Sequence, residues 1–77
     1  MKNNFRAKDL YLSAFLYAKD QTLERVDRES GVCWFVFYDQ EKSKKLADEF
    51  WSGQATCNVT EYNSALRVLK DRIFAEK

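Results

Sequence analysis

The sequence predicts one small α+β domain in which a two-stranded antiparallel hairpin packs on three helices, in the order α-β-β-α-α. Three observations carry this. Residues 10–18 are apolar on nearly every side at helical spacing. Residues 32–38, Val-Cys-Trp-Phe-Val-Phe-Tyr, are an unbroken apolar and aromatic run of strand length that opens after Gly31. The second half carries two further stretches of helical periodicity, parted by Gly53 and a polar connection.

Residues 1–8 carry no periodic signal and read as a flexible lead-in to a single domain that spans residues 1–77. Asp9 is the expected N-cap of the first helix, with Leu10, Ala14 and Ala18 on one line and Tyr11 and Phe15 beside it. Leu12 and Leu16 sit on a different side, so this helix must be central and covered on two flanks. Residues 22–28 form a weaker strand, because Leu23 and Val26 are three apart and share a face only through a bulge or an end effect.

Arg28-Glu29-Ser30-Gly31 has hairpin length, and Gly31 can take a positive φ. The strand that follows places Val32, Trp34, Val36 and Tyr38 on one face and Cys33, Phe35 and Phe37 on the other. Both faces are apolar, so each needs cover. Asp39 caps a second helix over residues 40–52 with the inward set Ser43, Leu46, Ala47 and Phe50, Trp51 beside it, and Gly53 as its stop. Asn58 with Glu61 reads as an Asn version of the capping box for a third helix, with Cys57 stapling onto Tyr62. Its inward set is Tyr62, Ala65, Leu66, Leu69 and Ile73. The expected core is Leu12, Phe15, Leu16, Phe35, Phe37, Leu46, Phe50, Leu66 and Leu69.

At 77 residues the chain has room for one core of modest stability, and 45% hydrophobic content with no proline argues against disorder. A net charge of +1 lacks the positive bias of a protein that tracks phosphates. No apolar run approaches the roughly 20 residues of a membrane span, and the start shows no secretion signal, so a cytoplasmic protein with no membrane partner is expected. Cys33 and Cys57 fit no zinc or redox spacing and are expected to be reduced.

Lys-Asp-Leu-Tyr-Leu-Ser-Ala-Phe-Leu at 8–16, Phe35-Val36-Phe37-Tyr38-Asp39, Phe50-Trp51-Ser52-Gly53 and the stretch from Leu66 to Ile73 with Lys70 span nearly the whole chain. In their order and spacing they resemble a family of short bacterial and phage-associated proteins known as a domain of unknown function, DUF5659. The resemblance implies no catalytic or binding residue. Two departures are Lys19-Asp20, where glycine is common after the first helix, and Cys57, where valine is expected.

Enzyme chemistry finds no support in these residues: the chain has no histidine, no glycine-rich loop and no helix-borne metal pair, and no cofactor is expected. Asp48 and Glu49 are adjacent on a helix and point apart, which suits a solvated face. Asn58-Val59-Thr60 matches a glycosylation sequon, but capping explains the same asparagine. Residues 31–37 partly echo the aromatic strand of RNA-recognition motifs, yet Ser30 replaces the basic residue and Val32 the first stacking aromatic.

The reading that follows is a non-enzymatic protein-interaction module, a homo-oligomer or a partner of another protein, with Trp34, Val36 and Tyr38 as its association face. The alternative is a weak nucleic-acid-binding accessory protein that uses Arg67, Lys70 and Arg72 of the last helix. Lys77 of the same helix and Lys42, Lys44 and Lys45 of the second would add to that basic surface, against Glu41, Asp71 and Glu76.

Overall fold

The computed structural model describes residues 3–75. Its elements are β1 (Phe5–Ala7), α1 (Leu10–Ala18), β2 (Leu23–Glu29), β3 (Val32–Phe37), α2 (Gln40–Ser52) and α3 (Val59–Ala75). The α+β class, the three helices and the hairpin agree with the sequence; the two-stranded sheet and the five-element order do not. The sheet has three antiparallel strands in the order β1-β3-β2. Residues 5–7 of the expected lead-in are a strand, with Phe5 opposite Phe37, Arg6 opposite Val36 and Ala7 opposite Phe35. Met1 and Lys2 lie outside the described residues, as do Glu76 and Lys77.

β1 satisfies the β3 edge that a hairpin would leave open. Three residues form it because a ready-made ladder is waiting, so propensity has little to decide. β3 becomes the central strand, with both of its edges paired.

The spacing of Leu23 and Val26 is resolved as expected, by an irregularity between Leu23 and Arg25 that sets Leu23 opposite Phe37 and Val26 opposite Phe35. Both then face the helices. The hairpin turns through Ser30 (φ 50°) and Gly31 (φ 81°), and positive φ at both central residues is what a type I′ turn requires. Asp20, just after α1, also has positive φ at 69°. It occupies a left-handed position that glycine fills most readily and that aspartate tolerates.

Local signals set the helix ends. The Leu12 N–H donates to Asp9 Oδ1 at 2.9 Å and the Lys42 N–H to Asp39 Oδ1 at 3.1 Å. Gly53 ends α2 at φ 83°, with the Gln54 N–H donating to the Glu49 carbonyl at 3.0 Å. At α3 the Glu61 N–H donates to Asn58 Oδ1 at 3.0 Å. This is one arm of the capping box; the return bond from the Glu61 side chain does not occur among the described residues.

α1 is the central helix, packed against α3 on one flank and α2 on the other. Leu12, Ser13, Ala14, Phe15 and Leu16 are all buried. The core joins α1, through Leu12, Ala14 and Leu16, with Phe35 and Phe37 of β3, Val26 of β2, Ala47 of α2, and Ala65 and Leu69 of α3. Three expected core residues, Leu46, Phe50 and Leu66, are half-buried instead. α2 and α3 flank α1, and an outer helix has a neighbour on one side, so the second line of its apolar stripe meets solvent. Phe50 still reaches Phe15, with ring centroids 5.6 Å apart. Ser43 is fully buried and donates to Gln21 Oε1 at 3.3 Å.

Candidate interaction face

The helices pack on the sheet face that carries Phe35 and Phe37. The other face is built by strand alternation and register. One row across it is Arg6, Val36 and Arg25. The next has Trp34 at its centre with Asp27 opposite on β2 and Lys8, just past β1, on the other side. Val32 and Glu29 close the face at the hairpin. No helix among the described residues lies over it.

Long charged side chains cover it instead. The Arg6 guanidinium carbon sits 4.6 Å from the centroid of the Trp34 ring, and the Lys8 ammonium 5.9 Å. Arg6 Nη2 continues to Glu29 Oε1 at 2.9 Å, so one side chain spans from β1 across β3 to β2. Arg25 Nε binds Asp27 through both carboxylate oxygens, at 2.9 and 3.1 Å, and its Nη1 pairs with Glu24. The hydrogen bond to Asp27, with the nearby charges of Asp27 and Glu24, raises the Arg25 pKa further above its ordinary value against a smaller opposing cost of burial. Val36 is fully buried yet lies outside the helix-facing core, flanked by the rows' arginine stems. On the second apolar face of the β3 run Val36 is thus covered from within the chain and Trp34 in part, while Val32 and Tyr38 stay exposed.

On the outer face the β1 side carries Arg6 and Lys8, and the β2 side carries Arg25, Asp27 and Glu29, with Glu24 at the irregularity beside Arg25. Trp34 lies between them, half-buried.

Of the face expected from the sequence, Trp34 is at the centre, Val36 is beyond the reach of any partner, and Tyr38, one residue past β3, is 42% exposed. The structure does not bring the three together as one accessible stripe. Of the alternative set, Arg67 and Lys70 are exposed and line one shallow groove with Asn63, Leu66, Asp71 and Phe74. Arg72 is half-buried and does not line it. Sequence reasoning missed Arg6, Lys8, Asp27 and Glu29 as parts of a site. The alternation Phe5-Arg6-Ala7-Lys8 was the available signal, at a length where alternation discriminates poorly.

Elsewhere Cys33 and Cys57 are free thiols, and the described residues include no cluster of three His, Cys, Asp or Glu that could hold a metal ion. No helix among them is long and apolar enough to cross a membrane.

Residues 2–75 match the family described as Domain of unknown function (DUF5659). No curated protein and no solved structure matches the chain. The chain belongs to the DUF5659 family.

Proposed function

For this member of the DUF5659 family we propose a small non-enzymatic protein-interaction module that self-associates through the outer face of its sheet. One observation carries the reading: Trp34, a large aromatic at the centre of the face, is half-buried beneath two long cationic side chains, with exposed Val32 beside it and charged groups around the rim. An aromatic anchor inside a charged rim is the usual anatomy of an association surface. Withdrawing Arg6 and Lys8 toward a partner's carboxylates would free the indole for contact, and burial would gain roughly 25 cal/mol per Å² of apolar area before association entropy opposes it.

Sedimentation equilibrium beside circular dichroism tests this. The wild-type chain is expected to dimerise at micromolar concentration and Trp34→Lys to remain a folded monomer. A wild type that stays monomeric at NMR concentrations, or a folded Trp34→Lys that dimerises as before, defeats the reading.

The second reading, weak nucleic-acid binding by α3, is favoured by the shared groove of Arg67 and Lys70. Asp71 in that groove and the separate position of Arg72 weaken it. Gel shifts at low salt with duplex and single-stranded probes should show salt-sensitive binding that Arg67→Ala and Lys70→Ala reduce, and no shift dismisses it.

A further inference from the structure

We infer that the open edge of β2 pairs antiparallel with β2 of a second copy about a twofold axis through Val26, joining two three-stranded sheets into one continuous sheet. This contact is separate from the one proposed for the outer face and does not depend on it.

β2 is the outer strand on one side of the sheet: it packs along β3, while α1 and α2 lie against β1 at the other side. Among the described residues the backbone groups of Leu23–Glu29 that point away from β3 have no partner. Such an edge offers a ladder to another strand, and charged side chains ordinarily close it. Those of β2 do not close it to itself.

In an antiparallel pair of identical strands the twofold stands perpendicular to the sheet, midway between one residue and its own equivalent, so the residue on the axis names the register. Placed on Glu24, Arg25, Asp27, Arg28 or Glu29, the axis sets that charge against its own copy. Placed on Leu23, at the end of the strand, it leaves most of β2 unpaired. Val26 is the middle of Leu23–Glu29, so only there does the whole strand overlap its equivalent. That register sets Arg25 opposite Asp27 and Asp27 opposite Arg25, with Glu24 opposite Arg28 beyond them, and no like charges meet. Glu24 lies at the irregularity in β2, so the two central pairs carry the match.

Strand alternation puts Arg25 and Asp27 on the outer face, and an axis perpendicular to the sheet keeps the two outer faces on one side. Each Arg25 already bonds Asp27 of its own strand, so the four groups alternate in sign around a square. Opposite charges directly across a strand pair stabilise it and like charges oppose it. The main-chain hydrogen bonds formed here replace bonds to water and little apolar area is buried, so pairing belongs to sub-millimolar concentrations, above those expected for contact through Trp34.

Trp34→Ala removes the anchor of the outer face without setting a charge beside Asp27, so edge pairing is read in it alone. Sedimentation equilibrium at low salt is expected to show dimers as the concentration approaches millimolar. Amide hydrogen exchange should slow with concentration at those residues of β2 whose N–H groups point away from β3. In that background Arg25→Asp and Asp27→Arg each bring like charges together twice and should weaken pairing at least about tenfold. Mixed in equal amounts they form one native pair and one reversed pair, and the heterodimer should regain the affinity of Trp34→Ala. Circular dichroism reports that each remains folded, and rescue by mixing also excludes misfolding. If Trp34→Ala does not fold, the same exchange measurement on the wild type decides, because contact between outer faces leaves those edge amides exposed. A folded Trp34→Ala that stays monomeric near millimolar concentration, edge amides that gain no protection, single reversals that associate unchanged, or a mixture that stays monomeric overturns edge pairing and leaves the outer-face reading to its own test.

Discussion

The guanidinium carbon of Arg6 sits 4.6 Å from the centroid of the Trp34 ring, so a residue of a three-residue edge strand covers the centre of the sheet's outer face. Removing that cover should be visible in the indole. In a Trp51→Phe background, where Trp34 is the only fluorophore of its kind, Arg6→Ala is expected to shift emission to the red and to lower stability by about 1 kcal/mol through lost cation–π contact and stem packing. Unchanged emission would mean that Arg6 does not shield Trp34 in solution.

Ser13 is completely buried at the centre of α1, and its hydroxyl finds no hydrogen-bond partner among the described residues. An unpaired buried hydroxyl is a desolvation cost that alanine does not carry. Ser13→Ala should therefore raise stability by about 1 kcal/mol in urea denaturation, and it also improves helix propensity. A loss of stability would show that the hydroxyl has a partner in solution.

The Ser30-Gly31 turn gives opposite expectations at its two positions. Both have positive φ. Asparagine visits that region more readily than serine, so Ser30→Asn should raise stability by about 0.5 kcal/mol. Gly31→Ala should lower it by about 1 kcal/mol; the space beside Gly31 is open, so the cost is one of backbone conformation. Thermal melts showing the reverse order would rule out this turn.

Asn58 and Glu61 separate the two arms of a capping box. Asn58→Ala is expected to cost about 1 kcal/mol, because the Glu61 N–H loses its acceptor. Glu61→Ala should cost less, losing a favourable charge in the first turn of α3 and no hydrogen bond. Equal losses in chemical denaturation would indicate that the reciprocal bond forms after all.

Tyr62 ties α3 to α1 by donating its phenol hydrogen to the Tyr11 carbonyl at 3.2 Å. Burial, then the neighbouring charges of Asp9, Tyr11 and Cys57, raise its pKa above the ordinary 10.0. The folded state thus favours the neutral phenol. Its contribution to stability is complete below the pKa of an unfolded tyrosine and is lost as pH rises through the folded value. Alkaline unfolding should be less steep in Tyr62→Phe than in wild type; an identical pH dependence would detach Tyr62 from that transition.

What the sequence determined by itself is what depends on neighbours a few residues away. The span Gln40–Ser52 was legible from Asp39, the apolar stripe and Gly53, and the bulge in β2 from the three-residue spacing of Leu23 and Val26. Asn58 and Gly31 declared a cap and a turn by their types. Each is a short-range constraint of hydrogen bonding or dihedral freedom, and such constraints are written locally.

Tertiary structure decided the rest. Phe5–Ala7 is a strand because β3, about thirty residues further on, presents an unpaired edge, and three residues hold too little periodicity to announce it. Val36 and Trp34 were legible as apolar, but their cover by Arg6, Lys8 and Arg25 was not, since it depends on which strand ends up beside which. The same holds for Leu46, Phe50 and Leu66, whose half-burial follows from lying on outer helices. A long cationic side chain reads as solvated surface until the fold sets an aromatic ring beneath it, and that placement comes from strand register.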